Sequence, residues 1–235
     1  MTLATEPAGT APAGERRIAL SQSETESLCM KAARGAGFSW GLAEEAGVAV
    51  GWLHFHGIDG TARLLSLLTD RLANPSSSGR PVPTSGHWQC DGDSPLCPIT
   101  TGSALLDSAL LADGPAGRTT KIDPVAAPIL LLPFLSRAAK LRAQPLEVEW
   151  PGGQFRIASD GKVDRQSALA WTGLTETDMT LRSPAQSVPR GSEPSSLPSL
   201  SPEVIDGLNA LAMRTTVPAT DASRRGAGSA STDND

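Results

Sequence analysis

The hydrophobic period changes partway along the chain, and that change decides the fold class. Between Ser21 and Leu72 apolar residues recur every three to four positions, the spacing that gathers them on one side of an α-helix. At "PLEVEW", Leu146, Val148 and Trp150 alternate with Glu147 and Glu149, the two-residue period of a strand with one buried face. Helices first and strands later predict an α+β architecture. It comprises an N-terminal helical bundle, a small, mainly antiparallel sheet, and a C-terminal helix with an extended tail.

The first helix is expected after Ser21 or Ser23, with Glu24 and Glu26 favouring its positive end and Gly35 and Gly37 closing it. The second runs from about Trp40 to His56, with Leu42, Ala46, Ala49, Val50 and Leu53 on one face. The third begins near Asp59, a candidate N-cap, and carries Leu64, Leu65, Leu68 and Leu72. Asn74 to Pro98 is rich in Pro, Ser and Gly and reads as a long loop, either a lid or disordered. Leu105, Leu106, Ala109 and Leu110 predict a fourth helix closed by Gly114 and Pro115. "VAAPILLLPFLSRAAKLR" predicts a buried strand up to Leu132, then a helix with Pro133 in its first turn. Phe155 and Ile157 mark a strand after a "PGG" turn, and "ALAWTG" and "DMTLR" are read as two more. The domain reading is a disordered arm over 1–19, an α+β domain over 20–182, a Ser/Pro-rich linker over 183–200, and a docking helix with tail over 201–235.

Composition narrows the function classes. With 23 glycines and 19 prolines in 235 residues, the chain suits a folded body with long loops. Aromatics are 4% with no tyrosine, which argues against a stacking surface for single-stranded nucleic acid. The formal net charge of −5 gives no footprint for DNA, RNA or anionic lipid. The longest apolar run, Val125 to Leu135, contains Pro128 and Pro133 and is too short to span a bilayer. The opening residues lack the apolar stretch of a signal peptide, so the expected setting is cytoplasmic. Cys29, Cys90 and Cys97 are an odd set, which speaks against a secreted disulfide framework.

The segment with most chemical content is "RGAGFSWGLAEEAGVAVGWLHFHG", Arg34 to Gly57. Gly47 and Gly51 lie one turn apart and leave a side-chain-free groove for a second backbone or a ligand. Arg34, just across the glycine turn, could pair with either glutamate. A cleft with Arg34, Trp40, Glu44 and Glu45 at its mouth would suit a zwitterion such as an amino acid. Glu44 and Glu45 are the candidate general bases, although Glu45 and His56 stand about 16 Å apart along a helix and cannot form an acid–base pair. Arg224, in the tail, joins the ligand-binding set if the tail folds over the cleft as a lid. His87, Cys90, Asp91, Asp93 and Cys97 crowd one loop without a standard ligand spacing, so no metal site is predicted. No phosphate loop, dinucleotide fingerprint or nucleophile elbow is present, so no cofactor is predicted either.

Two resemblances accompany these residues. "KAARGAGFSWGLAEEAG", "APILLLPF" and the closing "RTTVPATDASRRGAGSASTDND" resemble a bacterial family of unknown function, over most of the chain apart from the arm and the linker. That family implies no activity. "HGIDG", His56 to Gly60, is similar to the helix-end element of the malate and L-lactate dehydrogenases that lack a Rossmann fold. There the pattern continues into Ser-His-Gly; here Gly60 and Thr61 follow the aspartate, so the catalytic histidine has no counterpart. Three readings follow. The chain is a small-molecule-binding or accessory protein in amino-acid-type metabolism, an enzyme acting on such a metabolite with a glutamate base, or a structural subunit of a partner enzyme or homo-oligomer.

Overall fold

A computed structural model of the chain describes residues 17–75, 79–111, 114, 118–184 and 197–215. The N-terminal arm before Arg17, most of the Ser/Pro-rich linker and the tail after Thr215, including Arg224, lie outside the described residues.

Helix α1 (Gln22–Gly35) opens with a reciprocal cap: the Ser21 hydroxyl accepts from Glu24 N, and the Glu24 carboxylate accepts from Ser21 N at 2.8 Å. Helix α2 (Trp40–Phe55) starts at Ser39, whose hydroxyl accepts from Leu42 N, and it is the central helix of the bundle. Its small residues, Ala43, Ala46, Gly47, Ala49 and Gly51, are all buried, so it is covered on most sides rather than on one amphipathic face. Helix α3 (Thr61–Ala73) is capped at Gly60, while the Asp59 carboxylate accepts from Thr61 N at 2.9 Å from one residue further out. Leu64 and Leu68 face inward.

Helix α7 (Pro202–Ala212) follows its Ser201 cap and packs on α1 and α3, burying Ile205 and Leu208. The approach to α1 is so close that a Cβ on Gly35 would stand 1.9 Å from the Leu211 carbonyl oxygen. Just before α7, Leu200 exchanges backbone hydrogen bonds with Ile18 at 2.8 and 2.9 Å, tying the two ends of the folded body together.

Six strands form one sheet in the order β1-β2-β3-β6-β4-β5: β1 (Pro81–Thr84), β2 (His87–Cys90), β3 (Thr120–Ala126), β4 (Leu146–Trp150), β5 (Gly153–Ile157) and β6 (Glu176–Arg182). Every neighbouring pair is antiparallel except β2 and β3. The β1–β2 hairpin occupies the stretch expected to be a loop. Its strands are four residues long, and β1 holds Pro81 and Pro83, which only an edge strand accepts. Trp88, Ile122, Val125, Val148, Phe155, Ile157, Met179 and Leu181 point into the core with the helical leucines. Glu147, Glu149, Arg156 and Arg182 point outward and pair with one another at 2.6 and 2.8 Å.

Two predicted strands need correction. The strand in "VAAPILLLPF" ends at Ala126, followed by a 3₁₀ turn (Pro128–Leu131) and helix α5 (Leu132–Arg142), with Pro133 in its first turn as expected. Pro128 has no N–H to continue a ladder, and the four apolar residues after it are buried as helix instead. "ALAWTG" is not a strand: it spans the end of the short helix α6 (Arg165–Leu169) and a turn that buries Trp171 against Phe155, ring centroids 4.8 Å apart. Short apolar runs carry no period that separates the two states. Helix α4 (Pro98–Asp107) begins about two turns before its leucine stripe, with Pro98 in its first turn, and ends at Asp107, short of the expected stop at Gly114 and Pro115. Among the described residues no helix is long and apolar enough to cross a membrane.

Candidate functional site

The turn between α1 and α2 sorts its side chains by direction. Gly37 takes a φ of +90°, which lets the chain reverse between the helices. Arg34 donates to the Phe38 carbonyl at 2.7 Å, and its guanidinium lies 5.1 Å from the centre of the Trp40 ring. Phe38 is thereby driven into the core, where Arg71 of α3 stacks on it at 4.3 Å. Trp40 stays 59% exposed. The groove at Gly47 and Gly51 is filled by α1: a Cβ on Gly47 would meet the Glu26 carbonyl oxygen at 2.6 Å, and one on Gly51 would meet Glu26 Cγ at 2.1 Å. The expected close backbone approach is present, and its occupant is a helix of the same chain.

The predicted site residues separate. Arg34 pairs with neither glutamate, being turned toward Phe38 and Trp40. Glu45 is half-buried and bridges to Arg137 of α5 at 2.6 Å. Glu44 is exposed and borders an open groove of about 250 Å³ between α1 and α2, with Ser23, Glu26, Ser27 and Met30. Consecutive helical residues point about 100° apart, so two adjacent glutamates rarely serve one cleft.

A more enclosed cavity lies on the other side of Phe38. About 230 Å³ in volume, it is walled by Phe38, by Leu67, Asp70 and Arg71 of α3, by Ser94, Pro95 and Cys97, and by Gly79 and Ala126. A second lobe of about 100 Å³ shares Leu67, Asp70 and Ala126 with it and adds Arg63, Ser66, Ala127 and Thr175. Ala127 sits at φ +42°, ψ +61°, a left-handed conformation that costs a non-glycine residue about 1–2 kcal/mol. The surrounding bonds hold it there, among them Ala127 N to Thr175 O at 2.7 Å. The Pro95–Cys97 wall is fixed to β3 through Leu96, which donates to Pro124 O at 2.7 Å and accepts from Ala126 N at 2.9 Å. Sequence reasoning missed this cavity. Its one local signal is the stripe Arg63, Ser66, Leu67, Asp70 and Arg71 on the side of α3 away from Leu64 and Leu68.

The histidines and thiols are engaged locally. His87 Nε2 lies 2.7 Å from Asp123 Oδ1, and the other oxygen of Asp123 accepts from Cys90 N at 3.3 Å. Bonding to a carboxylate oxygen makes Nε2 the donor. His54 is buried; its Nε2 donates to the Leu20 carbonyl at 2.8 Å, and its Nδ1 has no partner among the described residues. His56 closes α2 with its ring stacked on Trp52 at 3.8 Å, and Asp59 is held by Thr61, so "HGIDG" forms a helix-to-helix turn. Cys29, Cys90 and Cys97 are all free thiols. Burial, with a further contribution from Asp59, pushes the Cys29 thiol well above the usual cysteine range. Among the described residues no group of three or more metal-binding side chains converges.

Comparison with known proteins adds a partial family match and little chemistry. Residues 20–118 match a family described as "Protein of unknown function (DUF3726)". No curated protein matches the chain. A crystal structure of malate dehydrogenase from Entamoeba histolytica is similar at 12% identity with a TM-score of 0.40, over 60% of this chain and 43% of that one. The chain thus spans less than half the length of that enzyme, and the likeness is too loose to carry an assignment.

Proposed function

We propose that the chain is a small-molecule-binding protein of amino-acid-type metabolism, with its ligand in the cavity beside α3. The observation that carries this reading is the cavity itself: an apolar chamber of about 230 Å³ bordered by Asp70 and Arg71. Neither has an ion-pair partner among the described residues. Concave apolar sites with a few convergent polar groups are where small ligands are held, and this size suits a metabolite smaller than a drug. The glycine-turn motif contributes through Phe38, which Arg34 positions, rather than through Trp40 or the glutamates. The test is a thermal-shift screen against a metabolite library, run on the parent chain and on Ala126→Leu, which intrudes on both lobes. A ligand that stabilises the parent chain but not the variant supports the reading. Absence of any shift in the parent chain defeats it.

A second reading, an enzyme with a glutamate general base, rests on Glu44, which borders the open α1–α2 groove without an ion partner. Loss of turnover with binding intact in Glu44→Gln would favour it. A subunit role draws on the outer face of α2, where Trp40, Val48 and Phe55 are all exposed; co-purification of a partner lost on Trp40→Ala would favour that.

A further inference from the structure

The two lobes of the α3 cavity differ in character, and α3 itself makes the difference. Arg63, Ser66, Leu67, Asp70 and Arg71 fall at i, i+3, i+4, i+7 and i+8, so they form one stripe along the helix. The larger lobe is apolar, walled chiefly by Phe38, Leu67, Pro95 and Cys97. The smaller is the more polar of the two, with Arg63, Ser66 and Thr175 on its wall beside Leu67, Ala126 and Ala127. Asp70 stands where the lobes meet.

The charges are arranged rather than neutralised. Arg63 is oriented by its Nε–H, which donates to the Thr172 carbonyl at 2.8 Å. The Arg71 guanidinium lies over the Phe38 ring, 4.3 Å from its centre. Among the described residues neither arginine, nor Asp70 between them, has an ion-pair partner. A ligand with only a negative charge would meet repulsion from Asp70, and one with only a positive charge would meet Arg63 and Arg71. A ligand carrying both charges a few ångströms apart answers both, and charge-assisted hydrogen bonds of this kind are the stronger ones. The apolar lobe then sets the rest of the ligand. Apart from Asp70, Ser94 and Arg71, whose guanidinium lies against the Phe38 ring, this lobe is walled by carbon and sulfur, so an apolar side chain fits it best.

We infer that the cavity takes a free α-amino acid with an apolar side chain, its ammonium on Asp70, its carboxylate on Arg63, and its side chain between Phe38, Leu67, Pro95 and Cys97. This inference rests on the proposed binding role of the cavity and adds the ligand class and its orientation.

Calorimetric titration of the full chain with L-leucine, L-methionine, L-lysine and L-glutamate tests it. Two truncated probes accompany them: 3-methylbutylamine, which is leucine without its carboxylate, and 4-methylpentanoate, which is leucine without its ammonium. The expected result is binding of leucine and methionine only. Asp70→Asn and Arg63→Gln should each weaken leucine binding by about tenfold to a hundredfold. Lys31→Gln, an exposed charge on α1, should leave it unchanged. Asp70 is exposed near the end of α3; Arg63, half-buried near its start, gives up only its bond to the Thr172 carbonyl, so far-UV circular dichroism of both variants should match the parent chain. Leucine binding at parental strength in Asp70→Asn or Arg63→Gln overturns the assignment, as does equal binding of either truncated probe. A separate measurement distinguishes failure of the ligand class from failure of the cavity reading. In Cys90→Ser, alkylation of Cys97 slowed by another library compound and not by any amino acid sinks this inference alone. No protection by any compound sinks both.

Discussion

A single methyl group at Gly47 tests how the two N-terminal helices meet. An ideal Cβ there would stand 2.6 Å from the Glu26 backbone oxygen and 3.0 Å from Met30 Cβ. Non-bonded carbon contacts relax near 3.5–4.0 Å, so α1 and α2 must part by roughly 0.5–1 Å at this point. Overpacking of that kind costs about 1–3 kcal/mol. Alanine's better helix propensity returns about 0.8–1.0 kcal/mol. The cleanest measurement is therefore a difference against Gly41→Ala on the same helix, where a Cβ would meet nothing within 4 Å. The propensity contributions largely cancel, and Gly47→Ala should be about 1–3 kcal/mol less stable than Gly41→Ala. Gly51→Ala should fall between them. Its obstacle is the Glu26 side chain, which can swing aside at the loss of the Gln22–Glu26 hydrogen bond of 2.8 Å. Urea denaturation at 25 °C with a shared slope reads the differences directly. Thermal unfolding should separate the variants by about 2–4 °C per kcal/mol in a chain of this size. Equal stability of Gly47→Ala and Gly41→Ala would show that α1 does not rest on this glycine, and the assignment of the motif to helix packing would fail.

Three further outcomes are expected. Ser21→Ala should cost about 1 kcal/mol at pH 7 by loss of the helix cap. The hydrogen bonds from Ser21 hold the Glu24 carboxyl below its ordinary value, so their stabilisation is present above the unfolded value of 4.5 and lost as pH falls through the lower folded value. The penalty of Ser21→Ala should accordingly be smaller at pH 3 than at pH 7, and an undiminished penalty by urea titration would contradict the assignment. Ala143, which ends α5 at φ +51° with its methyl group exposed, should gain about 0.5–1 kcal/mol on replacement by glycine; a loss in urea denaturation would refute the strain there. Brief iodoacetamide treatment at pH 8 should modify Cys90 and spare Cys29, whose buried thiol is held protonated; equal rates by mass spectrometry would show that Cys29 is not enclosed.

The fold was legible where one period ran for several turns or one alternation for five residues. α1, α2 and α3, the β4–β5 pair and the Ser201-Pro202 start of α7 all meet that condition. It was illegible where the deciding interaction is distant. β1 has two prolines and no alternation, and exists because β2 pairs with β3, thirty residues on. The leucines after Pro128 are apolar on every side, so only the α4 and α2 surfaces above them decide for helix over strand. The shift of β6 into the middle of the sheet, between β3 and β4, is a matter of topology that no local pattern encodes.

The candidate site follows the same division. The glycine-turn motif announced that something must come close, and the structure shows what does. Gly35 admits the backbone of α7, Gly47 that of α1, and Gly51 the side chain of Glu26. Glycines that let helices touch are indistinguishable in sequence from glycines that admit a ligand, because both positions ask only for the absence of a Cβ. The cavity, by contrast, is assembled from Phe38, the outer stripe of α3 and the segment around Cys97, with Ala127 and Thr175 closing it from the sheet. α3 contributes five side chains and the Cys97 segment three, and the contributing pieces lie from about twenty-five residues to more than a hundred apart along the chain. What holds them in register is backbone: Leu96 bonded to β3 on both sides, and Ala127 bent into a left-handed turn by Thr175. A site made this way depends on the sheet edge as much as on the helix that carries its charges. Loosening the Leu96–β3 bonds should therefore open the apolar lobe while leaving Asp70 and Arg63 in place.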